Sequence, residues 1–428
     1  MNKATEHLRE EVKKLWEEKK WDELIPVATE LTNYQEAHDE ARTRCTLGYV
    51  YILISNFDHA LKEFNIAVKR NPSLKFINPL VYIASQISEM NNLEKEQQNE
   101  AFKIYSQLLL IVDRIKKVSF YNKEAQVAHY TSLHTLKNLS ETKSCFRLYN
   151  ADYMNDPEEG LVLLNIMNEE YQADIEMFYK DGARYYRSPA YIGSFVRLEE
   201  ENEQKDKLFL WRTYGRHDNE EAAGVCLIFN DQPCFAKYAT HQFGPMQEHS
   251  NNMQEDWALY EIHYRSKPNK ELEKEEKLKK ELEKLGKQLK IIEEFIKKTQ
   301  PEEIKNGLKQ VLLAIRISTE LRRLVCELLD SIRFLFKENH YCEEKEVRVI
   351  QLRYGERSES SESQTEVDAE NIPPRFYLEA QESLRFSEVI LGPKTRNAWE
   401  WEQWLRAKAR EQNESIDIKQ SEIKYGKS

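Results

Sequence analysis

A run of alternating charged and apolar residues towards the C-terminal end of the chain constrains the fold most, because it is typical of a β-strand with one charged face. Alternate residues of a strand share a face. Glu344, Glu346 and Arg348 would therefore point one way, and Val347 and Val349 the other. Two carboxylates on one face are costly unless a ligand, a cation or water uses them. The run predicts a candidate site strand, or alternatively a solvated, self-paired face on an edge strand.

Further segments upstream predict, together with this strand, a single α+β domain. Residues 127–132 form a short strand pattern with His129 and Thr131 on one face and Tyr130 and Ser132 on the other. The others are a strand-like piece with an Asn-Asp-Pro turn (residues 145–157) before a helix that starts near Leu161, a Ser-Phe strand (191–195), a Trp-x-x-Tyr-Gly segment (208–215) and a Gly-Val strand (224–229).

Together these segments resemble a bacterial family, domain of unknown function 2971. Their order matches the family's pattern of a His-Tyr-Thr-like strand, an Asn-Asp-Pro turn, a Ser-Phe strand, a Trp-x-x-Tyr-Gly segment, a Gly-Val strand and a closing Glu-x-Glu-x-x-Arg-like strand. The closing strand here is one residue tighter, Glu344-x-Glu346-x-Arg348. The resemblance covers about residues 127–397 and implies an α+β domain with a mixed sheet.

The N-terminal part of the chain predicts helical repeats. Residues from about 41 to 72 resemble a tetratricopeptide repeat, with small and large residues at the expected positions, namely Leu47, Gly48, Tyr51, Ala60, Phe64, Ala67 and Pro72. Arg44 departs from the pattern, which prefers a large apolar residue there. Looser helix pairs flank this repeat. We therefore expect an all-α repeat domain at residues 1–120, and the resemblance implies that it binds a partner protein.

A charge-dense stretch, residues 267–339, interrupts the second domain. Leucine and isoleucine recur there at three- and four-residue steps, with a break at Gln300-Pro301. This pattern predicts an antiparallel helical hairpin, which is either a structural arm or a docking surface. The α+β domain would then occupy residues 121–266 and 340–428. Residues 355–371 predict a mobile loop, residues 399–404 a capping helix, and the chain from Ile416 a frayed tail.

Composition limits the partners and the compartment. The 428 residues carry a net charge of -11, which argues against non-specific nucleic-acid binding as the main activity. The six cysteines lack Cys-x-x-Cys spacing, which is typical of reduced thiols rather than a zinc site or a disulfide framework. No apolar run is long enough to span a membrane. We expect a cytoplasmic protein, in a bacterium or in the cytosol of a host cell after secretion.

The order of the His-Tyr-Thr, Ser-containing and Glu-x-Glu strands is also similar to that in ADP-ribosyltransferases. This resemblance implies that the domain cleaves the glycosidic bond of NAD and transfers ADP-ribose to a macromolecule, as a bacterial effector, toxin or defence protein. Cleavage builds positive charge on the ribose, which a fixed carboxylate stabilises in a water-poor cleft. NAD is the cofactor implied, and the acceptor is not identified.

The same resemblance implies roles for particular side chains. Glu346 would be the catalytic carboxylate, and Glu344 would position the acceptor. The NAD-binding residues would be His129 on the ribose or the adjacent phosphate, Thr131 in support, Ser194 by the nicotinamide, and Arg348 on a phosphate or in a pair with the catalytic carboxylate.

Other functions stay open on the sequence. In one alternative the chain is a non-catalytic interaction protein, in which the repeats bind a partner and the second domain is a binding platform. Separately, the structural alternative for His129 is a hydrogen-bonded core or surface histidine, and that for Trp211 and Tyr214 is a place in the core. A magnesium- or manganese-dependent nuclease is a further alternative, with its ligands among Glu344, Glu346, Asp156 and His129.

Overall fold

The structure is a computed structural model. It describes residues 3–74, 78–90, 93–121, 126–141, 145–154, 156–179, 190–198, 206–230, 258–265, 273–299, 308–352, 366–368, 373–379 and 385–424. The fold is α+β, as expected, with N-terminal helices followed by a mixed sheet with helices.

Stacked helices build the N-terminal region: α1 (Lys3–Glu17), α2 (Trp21–Thr32), α3 (Ala37–Leu53), α4 (Phe57–Arg70), α5 (Pro79–Glu89) and α6 (Lys95–Ser119). Each helix packs on the next in sequence. Local caps begin several of them; the Asn78 side chain accepts from two backbone amides at the start of α5, and Pro79 occupies the first turn. The prediction of helices over this region is confirmed.

Helices α3 and α4 cross closely at the glycine that the sequence places there. A Cβ on Gly48 would lie 2.8 Å from the Phe64 ring, so only glycine allows this approach. Arg44, which departs from the repeat pattern, pairs with Glu63 of α4 at 2.7 Å and with Glu40 of its own helix at 3.2 Å. The departure is therefore accommodated by carboxylates on the facing helix and one turn earlier.

The predicted insertion packs into the N-terminal helices. It contains α11 (Glu273–Lys298) and α12 (Leu308–Arg333), and both pack on α6 in a shared hydrophobic core. Gln288 donates to the Ile104 carbonyl at 2.9 Å, and Tyr105 donates to the Leu321 carbonyl at 2.8 Å. These contacts agree with the structural role, and the docking surface stays a prediction. The predicted break at Gln300-Pro301 lies outside the described residues.

The second region is built on a mixed sheet. Its strands are β1 (Val127–Thr131), β2 (Arg147–Asn150), β3 (Ala190–Arg197), β4 (Val225–Phe229), β5 (Leu259–Glu261), β8 (Glu346–Leu352), β9 (Glu366–Asp368), β10 (Arg375–Glu379), β11 (Glu388–Leu391) and β12 (Asp417–Gln420). The path runs β12-β11-β4-β1-β3-β2-β10-β9, and β8 pairs with β3 and β5. Strands β6 (His263–Arg265) and β7 (Phe336–Glu338) form a separate parallel pair.

Short helices flank the sheet: α7 (Leu133–Leu139), α8 (Val162–Glu169), α9 (Ile175–Tyr179), α10 (Leu208–Thr213) and α13 (Ala398–Glu411). The predicted helix near Leu161 and the predicted capping helix are α8 and α13. Among the described helices, none is long and apolar enough to cross a membrane.

Two predictions near the C-terminus differ from the structure, the second of them at three residues only. The tail expected to fray from Ile416 contains β12, which pairs in parallel with β11 because Ile418 packs against the core beside Val389. The loop expected at residues 355–371 includes β9, which pairs with β10. Most of that loop, residues 355–365 and 369–371, lies outside the described residues.

Candidate functional site

Strand β8 carries the predicted alternation of charged and apolar residues. Val347 and Val349 are fully buried in the core of the sheet, together with Phe195 of β3. Glu346 and Arg348 therefore point to the opposite face. In the antiparallel β3–β8 pair, Ser194 lies directly opposite Arg348, so both side chains share that face.

Glu344 lies close to Glu346, but it is positioned by a turn that precedes β8. It ends a 3₁₀ turn, Asn339–Glu344, and Lys345 then adopts a left-handed conformation with φ of 44° before β8 begins. The Lys337 ammonium from β7 bridges the two carboxylates, at 3.0 Å from Glu344 and 2.8 Å from Glu346. The structure thus brings the three predicted residues together, although Glu344 is not part of the strand.

Arg348 is the centre of this arrangement, and only 1 % of its surface is exposed. Its guanidinium donates to both oxygens of Glu159 at 2.6 and 2.8 Å, and to both oxygens of Glu346 at 2.5 and 3.1 Å. It also donates to the Phe334 carbonyl at 3.0 Å. Two bidentate carboxylates fix the plane of the guanidinium, so Arg348 has little freedom to turn towards a ligand.

The electrostatics keep Glu346 and Lys337 ionised at neutral pH. Burial by itself would raise the pKa of Glu346, but the charges of Arg348 and Lys337 outweigh it and lower that pKa to about 2. Burial would lower the pKa of Lys337, and the Glu346 carboxylate outweighs this and raises it. Glu346 is therefore an anion and Lys337 a cation at pH 7, and Lys337 is not a free amine nucleophile.

Two tyrosines complete the cluster. Tyr214 donates its hydroxyl to Glu344 at 2.5 Å, and Tyr264 accepts from the backbone amide of Glu346 at 2.8 Å. Burial and the Glu344 carboxylate raise the pKa of Tyr214, so its phenol stays protonated. Tyr214 is 36 % exposed and forms the solvent side of the group. We call the set Glu159, Tyr214, Tyr264, Lys337, Glu344, Glu346 and Arg348 the Arg348 cluster.

The other predicted NAD-binding residues lie elsewhere. His129 is opposite Leu227 in the β1–β4 pair, and its ring packs on Phe146 and Phe195, with ring centroids 5.2 and 5.7 Å away. It therefore lies on the sheet face opposite to Arg348, and Thr131 shares its face by alternation. The prediction that these residues meet the Glu346 carboxylate has no support in the geometry.

The His129 ring has a structural partner. Its Nδ1 lies 2.9 Å from the Ser194 carbonyl, and burial lowers its pKa, which favours the neutral imidazole. This matches the alternative of a hydrogen-bonded core histidine.

Sequence reasoning did not identify Glu159, Lys337 or Tyr264 as members of the cluster. Glu159 follows the predicted Asn-Asp-Pro turn, of which Asn155 lies outside the described residues, while Asp156 accepts from the Glu158 amide at 2.9 Å as in a helix-starting turn. A lysine in a three-residue strand gives no sequence signal that distinguishes it from a surface lysine. In the described part of the chain, no three acidic, histidine or cysteine side chains could hold a metal ion.

Residues 210–349 match the family model described as "Protein of unknown function (DUF2971)". This segment is a DUF2971 domain. The match begins in α10 and ends in β8, so it includes every member of the Arg348 cluster except Glu159. It confirms the predicted family resemblance over these residues only. No curated protein and no solved structure matches the chain.

Proposed function

We propose that this chain is an interaction protein, in which the N-terminal helices bind a partner protein and the DUF2971 domain with its surrounding sheet is a binding platform. The observation that carries the proposal is the closed state of the Arg348 cluster. Both cations in it are paired with carboxylates, and its central guanidinium is 1 % exposed. General acid–base or amine catalysis needs a group poised to change its protonation state near neutral pH, and the pKa shifts of Glu346 and Lys337 act in the opposite direction. A transferase that uses Glu346 as a fixed anion is the second candidate considered below.

The helices support partner binding by their stacking and by their exposed apolar residues. Tyr34 is 56 % exposed after α2, and Leu53 and Ile54 are 40 % and 37 % exposed at the end of α3. Stacked helix pairs offer extended surfaces for protein partners, as tetratricopeptide repeats do. The tetratricopeptide identity of these helices is part of this proposal.

A second candidate is the NAD-dependent ADP-ribosyltransferase of a bacterial effector, toxin or defence protein. One observation favours it: Ser194 and Arg348 are cross-strand partners, with Glu346 two residues away on the same face. A transferase would use Glu346 on the ribose and Glu344 towards the acceptor. Against it, His129 and Thr131 lie on the other face of the sheet.

One experiment separates the two candidates. The full chain would be titrated calorimetrically with NAD and incubated with labelled NAD and a bacterial lysate, in parallel with Glu346→Gln. The interaction proposal predicts no saturable NAD binding and no label transfer by either protein. NAD-dependent transfer that disappears in a folded Glu346→Gln variant would overturn it in favour of the transferase.

The role of the helices needs its own test. Affinity capture with the full chain would be compared with a Tyr34→Ser, Leu53→Ser double variant and with Glu346→Gln as the matched control. We expect the captured partner to be lost in the double variant and kept in Glu346→Gln. Equal capture by all three proteins would contradict partner binding through this surface.

A further inference from the structure

A groove at one end of the sheet is separate from the Arg348 cluster. It lies where β1 and β11 end and β4 begins, between α7, the loop before β4 and the start of α13, and its volume is about 590 Å³. Ligand sites in proteins commonly have volumes of roughly 300–1,000 Å³. The lining residues belong to the described ranges 126–141, 206–230 and 385–424.

Two indole rings form the apolar wall of the groove. Trp401 and Trp404 lie one turn apart on α13, with ring centroids 5.6 Å apart in an edge-to-face arrangement. Both are half-buried and pack against the hydrophobic core of the sheet, as does the buried Leu133 at the start of α7. The rings are therefore held in place before any ligand arrives, and indole faces are the best aromatic surface for a cation.

Ala223, which lines the groove, belongs to a loop that packs tightly on the turn after β11. Ala222 has a positive φ of 61°, a conformation that costs free energy for a residue with a Cβ. Lys394 donates its amide to the Ala222 carbonyl at 3.0 Å, and Gly392 donates to the Gly224 carbonyl at 2.9 Å. A Cβ on Gly392 would lie 2.5 Å from the Ala222 oxygen, so the two turns pack without space between them. This preorganisation reduces the entropy lost on binding.

The charges that line the groove favour a cation. Its carboxylates are Asp218, Glu220 and Glu400, and its permanent cations are Lys137 and Arg396, which leaves an excess of one negative charge. Arg396 is already paired with Glu220 at 3.1 Å, and the His217 ring lies 3.4 Å from Asp218. Two indoles beside an excess of carboxylate charge are features by which proteins recognise ammonium and guanidinium groups.

We infer that this groove binds an organic cation, an ammonium or guanidinium group that lies against Trp401 and Trp404 with its charge near Glu400. The cation comes either from a free small amine or from a lysine or arginine side chain of another protein. Either source supplies the same chemistry, and the titrations below distinguish them.

The test is a calorimetric titration of the full chain with three probes: choline, agmatine, and the blocked peptide acetyl-Gly-Arg-Gly-amide. The uncharged isostere of choline, 3,3-dimethyl-1-butanol, is the matched ligand control. We expect saturable binding of a cationic probe, and weaker binding of the alcohol by about 2–30-fold, the range that a cation–aromatic contact supplies. Tighter binding of the peptide than of agmatine indicates a protein side chain, and the reverse indicates a free amine.

Variants locate the binding. Trp404→Leu should weaken it by about 2–30-fold. Glu400→Gln, at an exposed carboxylate, should weaken it by about 1.5–5-fold. Trp399→Leu is the matched control, because Trp399 is on the same helix, 67 % exposed, and is not among the lining residues. If Trp404→Leu does not fold, Glu400→Gln still tests the inference. The inference is overturned if no cationic probe binds at millimolar concentration, if the alcohol binds as well as choline, or if Trp399→Leu has the same effect as Glu400→Gln.

Discussion

Two arginines of this chain each hold two carboxylates, and they differ in how their partners are brought together. Arg44 pairs with Glu40 on its own helix and with Glu63 on the next helix. Arg348 pairs with Glu346 two residues away and with Glu159, which is 189 residues away in the sequence. The Arg44 side chain is 19 % exposed, whereas that of Arg348 is 1 % exposed.

The difference in burial decides how costly it is to remove each arginine. The Arg44 side chain is partly open to water, and Glu40 also has Arg70 at 2.9 Å. At Arg348 the carboxylates cannot recover hydration if the guanidinium is removed, so the pairing is obligatory once the surrounding segments have closed over it. A buried ion pair of this kind need not add net stability, but breaking it from one side is costly.

The largest effect is expected for Arg348→Met. The substitution leaves Glu346 and Glu159 without their main counter-charge, and we expect the free energy of unfolding to fall by about 3–5 kcal/mol. Denaturant unfolding of the purified protein measures it. Arg348→Lys keeps the charge but loses the forked geometry of the guanidinium. Its free energy of unfolding should lie between those of the wild type and Arg348→Met. Equal stability of wild type and Arg348→Met would show that Glu346 and Glu159 do not need the Arg348 charge in the folded protein.

Acid should affect the Arg348 cluster through Glu346. Its folded pKa is lowered to about 2 from 4.5, so its contribution to stability is present above pH 4.5 and is lost as the pH falls from 4.5 towards 2. The shift corresponds to roughly 3 kcal/mol. Unfolding curves at several pH values should show a smaller acid dependence in Arg348→Met, since that variant no longer holds the carboxylate ionised. An unchanged dependence would contradict the assignment.

A smaller effect is expected for Tyr214→Phe. The substitution removes the hydroxyl that donates to Glu344 at 2.5 Å, while Lys337 continues to hold that carboxylate. Hydrogen bonds to charged groups contribute about 1.5–3 kcal/mol, and the exposure of Tyr214 places its contribution near the lower end. Denaturant unfolding measures this loss, with Tyr34→Phe as an exposed tyrosine control. A loss as large as that of Arg348→Met would mean that Tyr214 is central to the cluster.

The smallest effect is expected for Arg44→Leu. Leucine restores the large apolar residue that the repeat pattern prefers, and Glu40 keeps Arg70 as a partner. The Glu63 side chain is 11 % exposed, about twice the 5 % of Glu159. We expect a change in the free energy of unfolding of about 1 kcal/mol or less, of either sign. Thermal and denaturant unfolding compare this variant with Arg348→Met. A loss of the same size in Arg44→Leu and Arg348→Met would contradict the difference proposed between the two arginines.

Much of the fold followed from local patterns. Helix periodicity and the small residue at Gly48 predicted the helices and their close crossing, because neighbouring elements in a helical repeat pack on each other. Alternation in residues 346–349 predicted a strand and its two faces. The strand at residues 417–420 was missed because its pairing with β11 depends on a contact that is not local in sequence.

The candidate site was predicted in part. Glu344, Glu346 and Arg348 were identified because charged residues at alternate positions of a strand are unusual. The placement of His129 on the face opposite to Glu346 was not predicted, because which face of β1 aligns with which face of β8 depends on the register of β3 between them. Sequence alone does not supply that register.

The sequence by itself determined the α+β class, the helical N-terminal region, the DUF2971 resemblance and the charged face of β8, since all of these depend on residues close together in the chain. Only the tertiary structure decided that Glu159 and Lys337 pair with the charges of that face, that His129 is turned away from it, and that the insertion packs on α6. The physical reason is that burial of a charge is tolerated only with a partner, and the partners here come from segments that meet only after the chain has folded.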